Sequence, residues 1–375
     1  MASIRKRSWT GADGAANTAW LVDYRDSAGK RRAKQFARKR DAEAWATQAS
    51  WHVSQGTHTP DSQSITVAKA CELWIERAVA DGLEESTLQG YRARARLHIC
   101  PLIGEEKLSR LTRPHVEAFA DTIVETRGKA MAVMILRALS SAIGEAQRRG
   151  LVAQNVAAGV RVKRAKRDRE RVEIPTKDEL RAILKAASDR ERPLVMTAVF
   201  TGLRASELRG LRWSDVDLKA GRLTVSQRAD AFNVIGSPKS AAGRRAIPLP
   251  APLVAELKRW KLACPVSELG LAFPNGVGRI ETHSNLLQRM FGPLQVRAGV
   301  IELDGEGAPT WRYGFHALRH AAASMWIERG TDPKRIQTWL GHASIQLTFD
   351  TYGHLFEAAA TDAAVVSAIA AELIG

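Results

Sequence analysis

Three cysteines in 375 residues, Cys71, Cys100 and Cys264, are too few and too far apart for a disulfide framework or a CxxC metal pair, and they read as packed thiols. No run approaches the roughly 20 consecutive apolar residues that a membrane helix needs, although 45% of the chain is apolar. No membrane partner is therefore expected. The start, MASIRKRSWTG, has charge but no apolar segment after it, so secretion is not indicated and cytoplasmic residence is the expectation. Solenoid-length repeats and long low-complexity tracts are lacking too, apart from an alanine-rich C-terminus. Acidic residues are in deficit: 40 face 56 Lys and Arg, giving a net charge of +16. A polyanion is the expected partner. Nucleic acid comes before an anionic membrane surface, because no basic amphipathic anchor is evident.

What is present divides along the chain. In AWLVDYRDSAGKRRAKQFARKRDAEAWATQAS, Trp20 and Val22 alternate, DSAG supplies a turn, and extended character resumes at Arg31, which predicts a hairpin followed by a helix from about Asp41. Residues 1–60 hold eleven Lys/Arg and five Asp/Glu. A ribbon so charged, with Arg31, Arg32 and Lys34 as candidate phosphate contacts, can lie in a DNA groove, or it can simply be a solvated basic hairpin. The stretch VSQGTHTPDSQSITVAK is rich in turn formers and reads as a linker. Helical spacing then runs through Val67, Cys71, Trp74, Ile75 and Ala78, with further helices over 85–98, 113–126 and 130–149.

Residues 161–171, RVKRAKRDRER, carry seven basic and two acidic residues and almost nothing apolar. They predict an exposed linker in which Arg161, Lys163, Arg164, Lys166 and Arg167 track phosphates. Beyond it TKDELRAILKAA has a helix-start signature, and RLTVSQ and RRAIPLP read as strands flanking the loop NVIGSPKSAAG. The expected fold is mainly α with small β-sheets (α+β) and multidomain. Its parts are a β-sheet and helix domain over 1–60, a helical domain over 64–160, a basic linker over 161–175, and a mixed domain over 176–375 ending in a helix.

Four short boxes hold the polar chemistry. In TGLRASELRGLRWSDV, Arg204 follows a glycine turn, and Glu207, three positions on, can orient its guanidinium. FHALRH sets His316 and Arg319 at i and i+3 with His320 beside them; LGH gives His342; TFDTYGH gives Tyr352. Each box alone has an ordinary reading: a capping arginine, a structural ion-binding pair, a glycine-ended helix with a capping imidazole, a core tyrosine. Lys239 in SPKS could be part of a plain basic turn. The remaining histidines show no ligand spacing, so no metal and no cofactor is expected.

Taken together and in this order, the boxes from about Thr176 to Leu355 resemble the tyrosine recombinases, or phage-type integrases, with a weaker likeness in the helical region before them. The resemblance implies a helical core-type DNA-binding domain and a catalytic domain of tyrosine-recombinase type clasping DNA from two faces, and an arm-type DNA-binding domain in residues 1–60. It makes Arg204, Lys239, His316, Arg319, His342 and Tyr352 the catalytic set, with Glu207 and His320 in support. Two arginines would stabilise the charge gathering on a phosphodiester under attack. Tyr352 would be the nucleophile, His316 its proton acceptor, His342 a transition-state donor, and Lys239 the acid for the leaving 5′ oxygen. The implied activity is integration and excision of a phage or other mobile element through a 3′-phosphotyrosine. The implied partners are double-stranded attachment-site DNA, a tetramer on that DNA, and DNA-bending and directionality factors. After Tyr352 the apolar Val365, Val366, Ile369, Leu373 and Ile374 suggest a helix that docks on a neighbouring protomer or in cis. A type IB topoisomerase-like activity and a catalytically silent DNA-binding regulator are the alternatives.

Overall fold

The computed structural model describes residues 2–10, 12, 16–26, 29–56, 58–62, 64–162 and 173–359. Lys163, Arg164, Lys166, Arg167 and the apolar segment from Val365 to Ile374 lie outside these residues. The described chain is mainly helical with small antiparallel sheets, and it forms two compact units, Met1–Asp168 and Arg169–Gly375. No described helix is long and apolar enough to cross a membrane.

The first unit begins with a three-stranded antiparallel sheet, β1 (Ser3–Thr10), β2 (Ala16–Arg25) and β3 (Arg31–Phe36), with α1 (Lys39–Ser54) packed on it. The hairpin expected from alternation is β2–β3, in register Trp20↔Phe36 to Arg25↔Arg31. β1 was not legible, because it is an edge strand that buries almost nothing: only Ile4 is partly covered.

Helices α2 (Val67–Ala80), α3 (Glu85–Arg94), α4 (Cys100–Ile103) and α5 (Arg113–Arg148) follow, around a core that includes Val67, Trp74, Ile99, Phe119, Ile135 and Leu139. Thr66 caps α2 by accepting a hydrogen bond from the Lys69 amide. α5 is broken at Gly128, whose φ of 80° only glycine adopts readily. The two helices read from the sequence, ending near 126 and restarting near 130, meet at that break.

The stretch read as a linker before α2 is fastened from both sides. His58 shares a hydrogen bond of 2.9 Å with the Tyr24 hydroxyl, and the Lys34 ammonium lies 2.9 Å from Asp61. Asp61 also accepts from the Ser109 hydroxyl at 2.6 Å, and Thr59 accepts from the Ala153 amide at 2.9 Å. Burial alone would raise the Asp61 pKa; the Ser109 bond and the Lys34 and Arg110 charges outweigh it and hold it at about 2.

In the second unit α6 (Lys177–Ala186) starts with a capping box: the Thr176 side chain accepts from the Glu179 amide, and Glu179 answers to the Thr176 amide. α7 (Glu191–Thr201) ends at Gly202 and α8 (Ala205–Gly210) follows directly. β4 (Val216–Asp217), β5 (Arg222–Val225), a small hairpin of β6 (Arg228–Ala229) with β7 (Ile235–Gly236), and β8 (Arg245–Pro248) come next. β5 pairs antiparallel with β8 from Arg222↔Pro248 to Val225↔Arg245, so the connection bearing Lys239 hangs between strands that the sequence made legible.

α9 (Ala251–Ala263), α10 (His283–Asn285) and α11 (Gly292–Arg297) close the apolar core around Leu223, Ile247, Leu257 and Phe291. The stretch before the histidine box forms a two-stranded hairpin, β9 (Ile301–Leu303) with β10 (Pro309–Trp311). α12 (Ala317–Glu328), α13 (Pro333–Leu340) and α14 (Ile345–Ala359) enclose a smaller core of Ala323, Ile327, Ile336, Leu340 and Tyr352.

Candidate active site

The site is built on the ends of α7, α12 and α13. Gly202 and Gly341 terminate α7 and α13 in the left-handed region, with φ of 60° and 63°, and so turn carbonyls inward. Arg319, on the first turn of α12 and 2% exposed, donates to the Gly202 carbonyl at 2.7 Å and to the Leu340 carbonyl at 2.6 Å. Arg204 donates to the next carbonyl, that of Gly341, at 3.2 Å. Two guanidiniums more than a hundred residues apart in sequence thereby meet on adjacent carbonyls of one turn. Burial, and then the charge of Arg204, lower the Arg319 pKa to about 9, which still leaves it cationic at neutral pH.

Glu207 holds Arg204 in place. Its Oε1 accepts from Arg204 Nη1 at 2.8 Å and its Oε2 from the Arg204 amide at 2.8 Å, as the sequence spacing anticipated. The carboxylate is buried, which would raise its pKa, but bonds and charge from Arg245 and then Arg204 reverse the effect and bring it to about 2. Arg245 is not among the residues expected from the sequence. It lies in β8, where burial alternates along Arg245–Pro248 and the arginine faces inward with Ile247. An arginine on the apolar side of an alternating strand was the available signal.

His342 follows Gly341 and is 7% exposed; its Nδ1 bonds the buried Thr348 hydroxyl of α14 at 2.9 Å. That bond fixes the ring and leaves Nε2 as the nitrogen to address a substrate. Burial, then the charges of Arg319, Arg204 and Arg245, lower its pKa to about 3.

Tyr352 is 1% exposed, and its hydroxyl is bonded to His320 Nδ1 at 2.7 Å. The resemblance implies His316 as its proton acceptor. In the structure His316 is the residue preceding α12 and stands beyond His320, with ring centroids 4.8 Å apart. Burial raises the Tyr352 pKa to about 12 despite the opposing charges of Arg319 and Arg204. Burial and the neighbouring His316 and Arg319 lower that of His320 to about 4. The two shifts act in the same sense, so the proton stays on the phenol and the imidazole stays neutral. The bond thus joins a neutral phenol to a neutral imidazole. Desolvation and the same arginines lower the His316 pKa as well.

Lys239 is exposed on the β7–β8 connection and takes no part in this bonded set. Among the residues expected to meet DNA phosphates, Arg31 lies 3.5 Å from Asp23 but keeps its side chain 70% exposed. Arg32 turns inward to Asp26 at 2.9 Å with its side chain 16% exposed, and Lys34 is bound to Asp61. Arg161 is exposed at the end of the described part of the first unit.

The family profile "Phage integrase family" matches residues 174–358, and "Phage integrase, N-terminal SAM-like domain" matches residues 66–123. The chain is 30% identical to a tyrosine recombinase XerC of Xylella fastidiosa over 301 residues, covering 76% of this chain and 89% of that protein. A tyrosine recombinase XerC-like protein of Caldanaerobacter subterraneus is 25% identical over 373 residues, covering 90% and 92%. In fold, the Tn1549 transposon integrase in complex with a circular intermediate DNA superposes with a TM-score of 0.66 at 20% identity, over 82% of this chain and 99% of that one.

Proposed function

The chain belongs to the tyrosine recombinase family of phage-type integrases, and from that premise we propose how its own residues cut and rejoin DNA. It is a site-specific recombinase, an enzyme of DNA strand cleavage and rejoining. In the reading proposed here, Arg204 and Arg319 bind the nonbridging oxygens of one phosphodiester, and His342 Nε2 donates to the same phosphate as negative charge gathers. The Tyr352 oxygen attacks phosphorus, forming the phosphotyrosine bond as the bond to the 5′ oxygen breaks. The phenolic proton leaves toward the imidazole pair, His320 in contact and His316 behind it, and Lys239 gives a proton to the departing 5′ oxygen, which leaves as a hydroxyl. Rejoining runs the same steps backward with a new 5′ hydroxyl, so the bond energy is kept.

The observation that carries this reading is the meeting of the two guanidiniums on the Leu340 and Gly341 carbonyls, one residue from His342 and a turn of chain from the tyrosine helix. A phosphate bound beside the imidazoles raises their proton affinity, and it offers the guanidiniums better acceptors than neutral carbonyls. Movement of α14 would then bring Tyr352 out of its packing.

We assign residues 1–60 to arm-type DNA binding, 64–160 to core-site binding, 161–175 to a phosphate-tracking linker and 176–375 to catalysis. The partner is double-stranded attachment-site DNA on which the enzyme assembles as a tetramer, in the cytoplasm, to integrate and excise a mobile element. The basic N-terminal sheet supports integration over a simpler two-domain resolution role. The test is a supercoiled plasmid carrying two copies of the attachment site read from DNA flanking the gene. Strand-exchanged product supports the assignment. Relaxation without exchange would make the protein topoisomerase-like, and binding with neither would make it a silent regulator.

A further inference from the structure

Arg245 has no role in the reaction drawn above, yet its charge is buried directly beside the groups that do. Its side chain is 1% exposed. It grips Glu207 with both terminal nitrogens, Nη1 to Oε1 at 3.0 Å and Nη2 to Oε2 at 2.8 Å. Its Nε donates to the Trp339 carbonyl at 2.6 Å, and Nη1 donates also to the Gly243 carbonyl at 2.9 Å. One arginine thus joins three segments that chemistry needs in register: the connection bearing Lys239, the carboxylate that aims Arg204, and the turn that carries His342.

Charge gives the arrangement a second meaning. A carboxylate bonded to Arg204 alone would orient it but also cancel it, and an arginine already neutralised binds a phosphate poorly. With Arg245 present, one carboxylate faces two guanidiniums. The fully buried one offsets its charge, and the one that reaches solvent, Arg204 with a side chain 37% exposed, keeps its own. A buried carboxylate left without such a partner would also be costly in itself.

Resting on the function proposed above, we propose that Arg245 is a positioning residue that neutralises Glu207, so that Glu207 can orient Arg204 without discharging it. A purely structural ion pair would not couple to catalysis in this way.

The test is a double-mutant cycle of Arg245→Met and Glu207→Gln in the full chain. It is read as single-turnover formation of covalent protein–DNA adduct on a nicked suicide duplex, with DNA affinity and urea unfolding measured beside it. Arg245→Met alone is expected to slow adduct formation by about 100-fold, the scale of losing one preorganised charge at a reacting phosphate. Its rate relative to wild type should rise as pH falls from 8 to 6, because a Glu207 deprived of its buried partner takes up a proton and frees Arg204. In the Glu207→Gln background the same substitution should cost at most about a tenth as much, since no carboxylate charge is left to neutralise. If Arg245→Met alone unfolds, the double variant, which has no buried charge to strand, is compared with Glu207→Gln: a loss of no more than about tenfold supports the proposal, and a loss near 100-fold overturns it.

Equal losses in both backgrounds, or an Arg245→Met protein that cleaves as wild type does, would overturn the proposal. A wild-type protein that forms no adduct would instead overturn the function on which it rests.

Discussion

Replacing Gly341 by alanine should damage both the fold and the chemistry, by amounts the local geometry sets. At φ 63° any residue with a Cβ pays about 1–2 kcal/mol for left-handed backbone. The new Cβ would also stand 2.8 Å from Arg245 Nη1 and 3.0 Å from the Ala242 carbonyl oxygen. Neither can retreat: the arginine is locked by Glu207, Trp339 and Gly243, and the oxygen is backbone. Overpacking of this kind adds about 1–3 kcal/mol, for a total near 2–5 kcal/mol.

Relief can come only from a shift of the turn, and that moves the carbonyls holding Arg204 and Arg319. A displacement of about 1 Å at such groups costs on the order of 100-fold in rate. Gly330→Ala is the control. Its φ of 68° carries the same backbone penalty, but nothing lies within 4 Å of the added Cβ, so it should lose about 1–2 kcal/mol and cleave normally. Urea unfolding and single-turnover cleavage of a suicide duplex measure both quantities. If the two variants matched in stability and in rate, the turn would not be the device that positions the arginines.

Three further outcomes are expected. His320→Ala should lower unfolding free energy by about 1–3 kcal/mol, because the buried Tyr352 hydroxyl loses its partner, and adding Tyr352→Phe should recover part of the loss in urea melts; additive losses would deny the bond. His342 and His320 have folded pKa values of about 3 and about 4, below the unfolded 6.5, so their stabilising contribution is present above pH 6.5 and is lost as pH falls toward those values. Each should remove about 2 kcal/mol between pH 7 and pH 5, and His342→Asn should therefore lose about 2 kcal/mol less than wild type over that interval; an unchanged difference would place the ring in a different protonation state. Arg31→Ala should reduce the slope of log affinity for arm-site DNA against log salt by about 0.9, whereas Arg32→Ala should leave that slope unchanged and lower stability instead; a slope change for Arg32 alone would reverse the assignment of faces.

The features legible in the sequence are those written in local rules. Thr176 and Glu179 announce a capping box, the break near 128 is marked by glycine, and alternation yields β2, β3, β5 and β8. The order of Arg204, His316, Arg319, His342 and Tyr352 was sufficient to recognise the family. What stayed hidden depends on distant contacts. Asp61 lies in a stretch of turn formers, and nothing local says that Lys34, Ser109 and Arg110 converge on it. Arg245 looks like one more arginine of a basic loop until β8 turns it inward. Arg319 and His320 are consecutive, so helix geometry separates their directions by roughly 100° and sends one to the carbonyl turn and the other to Tyr352. That choice between His316 and His320 is made by how α14 packs on α12, which no spacing within either helix reveals.

The most direct test of the central claim is the identity of the covalent bond. After trapping on a suicide duplex and digestion, mass spectrometry of the adduct should find the DNA 3′-phosphate on the peptide containing Tyr352, with a free 5′ hydroxyl on the released strand and no adduct from Tyr352→Phe. A phosphate carried at the 5′ end, or by any residue other than Tyr352, would contradict the account.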